Sequence, residues 1–231
     1  MQVAVMSSIG LVRSKNEDRF LARPERGLFA VCDGMGGHKG GEIAAALAIE
    51  VVDMCYRDSS NPFSSLAACV DKANRLILSV GSRVPEYQGM GTTLTVAIVR
   101  HDRLWAAHVG DSSLYYFSAG SIEKMTRDHT LAQSMVDKGV MSIREGKKHP
   151  FSHVLTRALG MEVPVEVDYI SRRLNKGDYL LLATDGLTDL VEDWEIKELI
   201  GRFGMEAHIY LTETALRRGG HDNVTVVLVQ V

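Results

Sequence analysis

The chain opens on short apolar runs broken by polar residues. "QVAVMSS" (2–8) and "LFAVC" (28–32) have the length and composition of strands. The period then becomes helical: Ile43, Leu47, Val51 and Met54 mark one face, and Leu66, Cys69, Ala73, Leu76 and Val80 mark a second. After Gly91 strands return as "TTLTVAIV", "RLWAAHVG" and "SSLYYFSAG", whose short separations predict an antiparallel meander. The polar stretch 128–150 predicts one helix and a surface excursion. Beyond it come "VEVDYISRRL", "DYLLLAT", a helical section from Trp194 to Arg218 and a closing strand, "NVTVVLV". "YLLLA" is apolar on both faces, as in a strand covered on both sides. Strand groups interrupted by helix pairs predict an α/β layered sandwich. A doubly wound parallel sheet is disfavoured, because several strands follow one another with no helical crossover.

Composition narrows the class. At 231 residues the chain fits one domain, 1–231, and 45% apolar with 24% charged residues is ordinary for a globule. A net charge of −3 gives no electrostatic reason to expect nucleic acid or an anionic membrane. The longest run free of charged residues and histidine, Tyr87–Val99, is too short to span a bilayer. The N-terminus lacks a basic leader and a cleavage site, and three cysteines in no metal-ligand spacing fit a reducing cytoplasm.

The most unusual local pattern is "VCDGMGGHKGGEIAA" (31–45), in which an apolar run meets Asp33 and five glycines follow within eight residues. No Lys-Ser or Lys-Thr pair completes a Walker loop. A dinucleotide frame from Gly34 and Gly36 finds Lys39 where its third glycine should stand. A carboxylate at a strand end, with glycines that let backbone and solvent approach, suits a hard divalent cation, although a tight turn gives the same pattern. Three further aspartates share that context: Asp111 after "AAHVG", Asp185 after "YLLLAT" and Asp222 before the last strand. Strand edges converge in a layered sheet, so the four can meet in one cleft with the oxygen-only ligand set that Mg²⁺ and Mn²⁺ prefer. The histidines His38, His108, His129, His149, His153 and His221 are scattered along the chain, which argues against zinc.

In order, "RSKNED" (13–18), "DGMGGHKGGEIAA" (33–45), "GTTLTVAIV" (91–99), "HVGDSSLYYF" (108–117), "TRDHTL" (126–131), "HPFSHVLTRALG" (149–160), "DYLLLATDGLTD" (178–189) and "DNVTVVLV" (222–229) resemble the metal-dependent protein phosphatases of the PP2C (PPM) type, in their compact bacterial form. The resemblance implies a four-layer αββα sandwich with two central antiparallel sheets. It also implies a serine/threonine phosphatase in which water or hydroxide between two Mn²⁺ or Mg²⁺ ions attacks the ester directly. On that match Asp33 bridges two metals, the Gly34 carbonyl ligates one, and Asp185 and Asp222 complete the other. Asp111 resembles the carboxylate of a third, weaker site, shared with Asp185 or Asp189. Arg13 is similar to the arginine that grips the phosphate. Glu17 and Asp18 resemble groups that orient bound waters, and Asn223 one that supports Asp222. Segment 128–150 matches the family's flap. Phosphoproteins and a counteracting serine/threonine kinase are the implied partners.

The chemistry suits the residues. Two cations roughly 3.5–4 Å apart can activate a shared water and offset phosphoryl charge, and arginine offers phosphate a planar fork of donors. Many animal members place a proton-donating histidine where this chain has Met35, and a thioether cannot donate a proton; His38 is a substitute only by proximity, and His153 has no assigned role. Two other readings stand beside this one. "CVDKANR" (69–75) has the Cys-to-Arg spacing of cysteine-dependent phosphatases but no glycine, and it falls within a helical pattern. A phosphopeptide-binding pseudoenzyme on the same fold would bind without turnover.

Overall fold

Alternation within the strands dictates the layering. The structure, a computed structural model, describes residues 1–36 and 40–231. Its first third holds β1 (Gln2–Ser8), β2 (Arg19–Arg23), β3 (Leu28–Cys32), the two-residue β4 (Gly34–Met35), α1 (Gly40–Cys55) and α2 (Pro62–Arg83). Next come β5 (Gly91–Thr92), β6 (Leu94–Arg100), β7 (Arg103–Val109), β8 (Ser113–Ser118) and β9 (Ser121–Lys124), then the short α3 (Leu131–Asp137) and α4 (Ile143–Lys147). The chain finishes with β10 (Asp168–Arg173), β11 (Tyr179–Ala183), α5 (Asp185–Thr188), α6 (Asp193–Phe203), α7 (Ala207–Arg217) and β12 (Val224–Gln230). Two five-stranded antiparallel sheets result, ordered β1-β12-β11-β8-β9 and β10-β7-β6-β3-β2.

In β3, Phe29 and Val31 face the space between the sheets, where Leu114, Leu182 and Val227 meet them. Leu28, Ala30 and Cys32, one position out of phase, pack outward under α1 and α2. β12 mirrors this arrangement: Val227 and Val229 point inward, while Val226 and Leu228 pack against Ile196, Ile200 and Leu211 of α6 and α7. Each fully buried side chain of this size contributes roughly 1.5–3 kcal/mol of hydrophobic stabilisation. The order helix, sheet, sheet, helix is the four-layer sandwich that the resemblance implies. Among the described residues no helix is long and apolar enough to cross a membrane.

Several expectations need correction. The meander is split, because β6–β7 is a hairpin of one sheet and β8–β9 a hairpin of the other. The chain changes sheets at Gly110, whose φ of 110° disfavours a side chain and whose Cβ would stand 2.6 Å from Thr93 Cβ. α1 buries Gly41, Ala44, Ala45, Ala48, Val51 and Val52, whereas Met54 is 58% exposed. Small residues let this helix lie close to the sheet; Val51 is buried and Ile43 and Leu47 pack against the core as the period predicts, while Met54 turns outward. In α2, Ile77 is buried in place of Leu76. β2 was not expected; it is an edge strand with one buried apolar residue, Leu21. β10 starts only at Asp168, with Val165 and Val167 packed against the α1–α2 side of the core. Segment 128–150 contains two short helices instead of one, capped by Thr130 and by a Ser142–Glu145 capping box.

Candidate metal centre

Asp33 leaves β3 with its backbone clamped. Its N–H donates to Thr93 Oγ1 (2.8 Å), and its carbonyl accepts from Thr93 N–H and Thr92 Oγ1–H, each at 2.9 Å. Behind it Gly34 faces Gly41 backbone to backbone. A Cβ on Gly34 would stand 2.1 Å from the Gly41 carbonyl oxygen, so neither residue has room for a side chain. This contact draws the start of α1 against the loop. Asp185 opens α5 directly after β11, and Asp189 caps the same short helix four residues on. Asp222 precedes β12, with Oδ1 accepting from Asn223 N–H (2.8 Å) and Oδ2 from Arg13 Nη2–H (2.7 Å).

Arg13, Glu17, Asp33, Gly34, Asp111, Asp185, Asp222 and Asn223 line one cavity of ≈ 660 Å³. Asn223 supports its neighbour only through the backbone. Its side chain straps the loop that carries Arg13: Nδ2 donates to Ile9 O and Lys15 O (2.9 Å each), and Oδ1 accepts from Glu17 N–H (2.8 Å). Asp18 is buried and accepts from Thr184 Oγ1–H (2.8 Å). Asp189 borders an adjoining cleft together with Asp111 and Asp185. His153 Nδ1 stands 3.4 Å from Asp189 Oδ2, and donor atoms of His153, Asp185 and Asp189 lie within 4.8 Å of one another.

Residues 12–223 match the family model described as Protein phosphatase 2C. The chain belongs to the protein phosphatase 2C family. Over its whole length it is 40% identical to serine/threonine protein phosphatase PstP of Mycobacterium tuberculosis, while spanning only 45% of that protein. It is 31% identical to serine/threonine phosphatase stp of Listeria monocytogenes, over 96% of this chain and 92% of that one. The crystal structure of the PstP catalytic domain in complex with two manganese ions superposes with a TM-score of 0.89 at 38% identity, covering 98% of this chain and 96% of that one. Members of the protein phosphatase 2C family are metal-dependent serine/threonine protein phosphatases, and the four-layer fold is theirs.

The electrostatics of this family member suit cations. Desolvation first, then the charge of Asp185, hold the Asp33 carboxyl well above the usual range. Asp111 is raised in the same way by desolvation, Asp185 and Asp128, and Asp185 is raised mainly by desolvation. Asp18 and Asp189, again chiefly desolvated, are pushed up to about 7. Asp18 Oδ1 and Asp185 Oδ1 are buried without a hydrogen-bond partner. Leaving carboxylate oxygens unpaired costs about 1–3 kcal/mol each, and more when they are ionised. A hard divalent ion would satisfy such oxygens and lower every one of these pKa values.

Other residues of the site were not foreseen. Thr93, Ser112 and Thr184 form its hydroxyl scaffold, with Thr93 Oγ1 and Ser112 Oγ 2.6 Å apart, beside Asp111. His108 and His129 prove to be neighbours in space, their ring centroids 4.8 Å apart. Met35 lines the cavity and His38 lies outside the described residues. Cys69 is buried in α2 and Arg75 pairs with Asp71 in place of any phosphate loop.

Proposed function

We propose that this chain hydrolyses phosphoserine and phosphothreonine monoesters of proteins. In this reading Asp33, the Gly34 carbonyl, Asp185 and Asp222 hold two Mn²⁺ or Mg²⁺ ions, and Asp111 with Asp189 serves a weaker third. One observation carries it: carboxylates from the ends of β3 and β11 and the start of β12 face a single cavity, and Asp185 Oδ1 has no other partner there. When bound, divalent cations supply Lewis-acid activation of the attacking water and charge to offset the phosphoryl oxygens.

The remaining work falls to the chain. Arg13, tethered to Asp222 through Nη2, keeps its other N–H donors for phosphoryl oxygens. Glu17 and Asp18 accept hydrogen bonds from waters and so orient them. The threonine clamp fixes the Asp33 backbone before substrate arrives, which is the condition for electrostatic preorganisation. Met35 has no proton to give, so the leaving alkoxide is protonated from water. Segment 128–150, which walls the adjoining cleft, selects substrates. A counteracting serine/threonine kinase is the partner this activity requires, and three free thiols fit the cytoplasm.

The test is hydrolysis of p-nitrophenyl phosphate and a phosphothreonine peptide, with Mn²⁺ and with EDTA. Metal-dependent turnover is expected, reduced roughly a thousandfold or more in Asp33→Ala, Asp185→Ala and Asp222→Ala. Turnover that survives EDTA but not thiol alkylation would move the chemistry to cysteine. Peptide binding without turnover would make the chain a binding module.

A further inference from the structure

The stem of segment 128–150 closes on a buried imidazole. His129 is 6% exposed and packs against the fully buried His108. Its N–H donates to Gly110 O (2.8 Å), and Gly110 N–H donates back to His129 Nδ1 (3.1 Å). On the returning side of the stem, Thr156 N–H donates to His129 O (2.8 Å), and Thr130 pairs with Leu155 in an isolated bridge. One residue therefore joins the outgoing chain, the returning chain and the turn that presents Asp111.

The tautomer follows from these partners. A ring nitrogen that accepts from a backbone N–H carries no proton, so the proton of His129 is on Nε2. It faces Asp168 Oδ2 (3.1 Å), while Asp168 Oδ1 accepts from Arg157 Nη1 (3.1 Å) and Glu166 Oε2 holds Arg157 Nη2 (2.8 Å). Arg157 Nη1 also lies 3.2 Å from His129 Nε2, but two donors cannot bond to each other and the carboxylate takes both. His108 secures Arg127, two residues earlier: its Nε2–H donates to Arg127 O (3.1 Å), and Thr95 Oγ1 donates to its Nδ1 (2.8 Å). A histidine that merely filled the core would need none of this. An imidazole oriented by a carboxylate, itself oriented by an arginine, is how proteins fix the direction of a ring that must hold something else in place.

We propose that His129 is a positioning residue that, held in one tautomer by Asp168, locks the Gly110–Asp111 turn to the stem of segment 128–150. The placement of Asp111 then depends on that segment. The consequence for cation binding at Asp111 rests on the phosphatase reading above, whereas the lock itself does not.

The test compares wild type with His129→Leu, His129→Asn and Asp168→Asn, by amide exchange on metal-free protein followed by NMR and by Mn²⁺ calorimetry. Asparagine can offer Gly110 an acceptor near the place of Nδ1; leucine cannot. In His129→Leu the Gly110 and Thr156 amides should exchange at least roughly tenfold faster, with the β11–β12 ladder unchanged. The weakest Mn²⁺ phase should loosen by about tenfold or more. His129→Asn should restore protection at Gly110, and Asp168→Asn should weaken it partially, which covers a leucine variant that fails to fold. Unchanged exchange at Gly110 and Thr156 in both His129→Leu and Asp168→Asn overturns the proposal. Unchanged Mn²⁺ affinity in a His129→Leu protein whose stem has loosened supports the lock and overturns its consequence for Asp111. Wild type that leaves p-nitrophenyl phosphate intact with Mn²⁺ would instead sink the phosphatase reading, with the exchange result still standing.

Discussion

Arg13 keeps 56% of its side chain exposed while Nη2 rests on Asp222 Oδ2 at 2.7 Å. It is anchored at one end and open at the other, which suits a residue that meets substrate from solution. Arg13→Ala should raise KM for p-nitrophenyl phosphate by about tenfold with a smaller change in kcat, and Arg13→Lys should recover little, because an ammonium lacks the planar fork. Steady-state kinetics decide it, and unchanged constants would remove Arg13 from phosphate binding. Residues of this kind were legible in sequence because each sits in a short local motif: Arg13 and Glu17 in "RSKNED", Asp33 before glycine, Asp222 before Asn223. Thr93 and Thr184 were not. Both stand at strand ends, where threonine reads as common β-branched filling, and each acts on a partner distant in sequence, Asp33 at 60 residues and Asp18 at 166.

At the scale of elements, the glycine loop and α1 act as one unit. Gly41→Ala would place a Cβ 2.7 Å from the Gly34 backbone and 2.8 Å from Glu17 Oε2. Something must shift, and overpacking of this kind costs about 1–3 kcal/mol. Urea denaturation in EDTA should show that loss, and a Gly41→Ala variant as stable as wild type would mean that the contact is looser than described. The strands were readable because β3, β11 and β12 alternate between inter-sheet and helix-facing partners. The buried face of α1 was readable only in part: Ile43, Leu47 and Val51 mark it, but Gly41, Ala44, Ala45 and Ala48, also buried there, carry little hydrophobic signal. The sheet assignment of β8 was also hidden. A turn such as Gly110–Ser112 can close a hairpin or cross between sheets, and only tertiary packing decides.

At the scale of the whole molecule, the centre joins the two sheets, with Asp33 supplied by one and Asp185 and Asp222 by the other. Burial of the carboxyls around it, and then their mutual charge, make the metal-free fold sensitive to pH. The Asp18 and Asp189 carboxyls, raised from 3.8 to about 7, hold protons in the folded state that the unfolded chain has released. These two carboxyls should therefore make metal-free stability fall as pH climbs from about 4 to about 7, and the raised Asp33, Asp111 and Asp185 act in the same direction. His108, whose burial lowers it from 6.5 to about 3, and His129, lowered by burial too, oppose this trend below about 6.5, because the unfolded chain protonates them there; carboxyls held low by arginine, such as Asp53 and Glu195, oppose it only in more acidic solution. Melting in EDTA should accordingly drop between pH 5 and 8, and Asp18→Asn should flatten the slope. Manganese should offset the drop, since its ligands bind deprotonated. A metal-free melting temperature that rises over that window would contradict the pKa directions.

Anomalous diffraction from crystals soaked in manganese tests the metal assignment most directly. The assignment predicts two strong peaks within bonding distance of Asp33 carboxylate oxygens, one also reached by Asp185 and Asp222 and the other by the Gly34 carbonyl. Peaks elsewhere on the molecule, with those carboxylates left without metal, would contradict it.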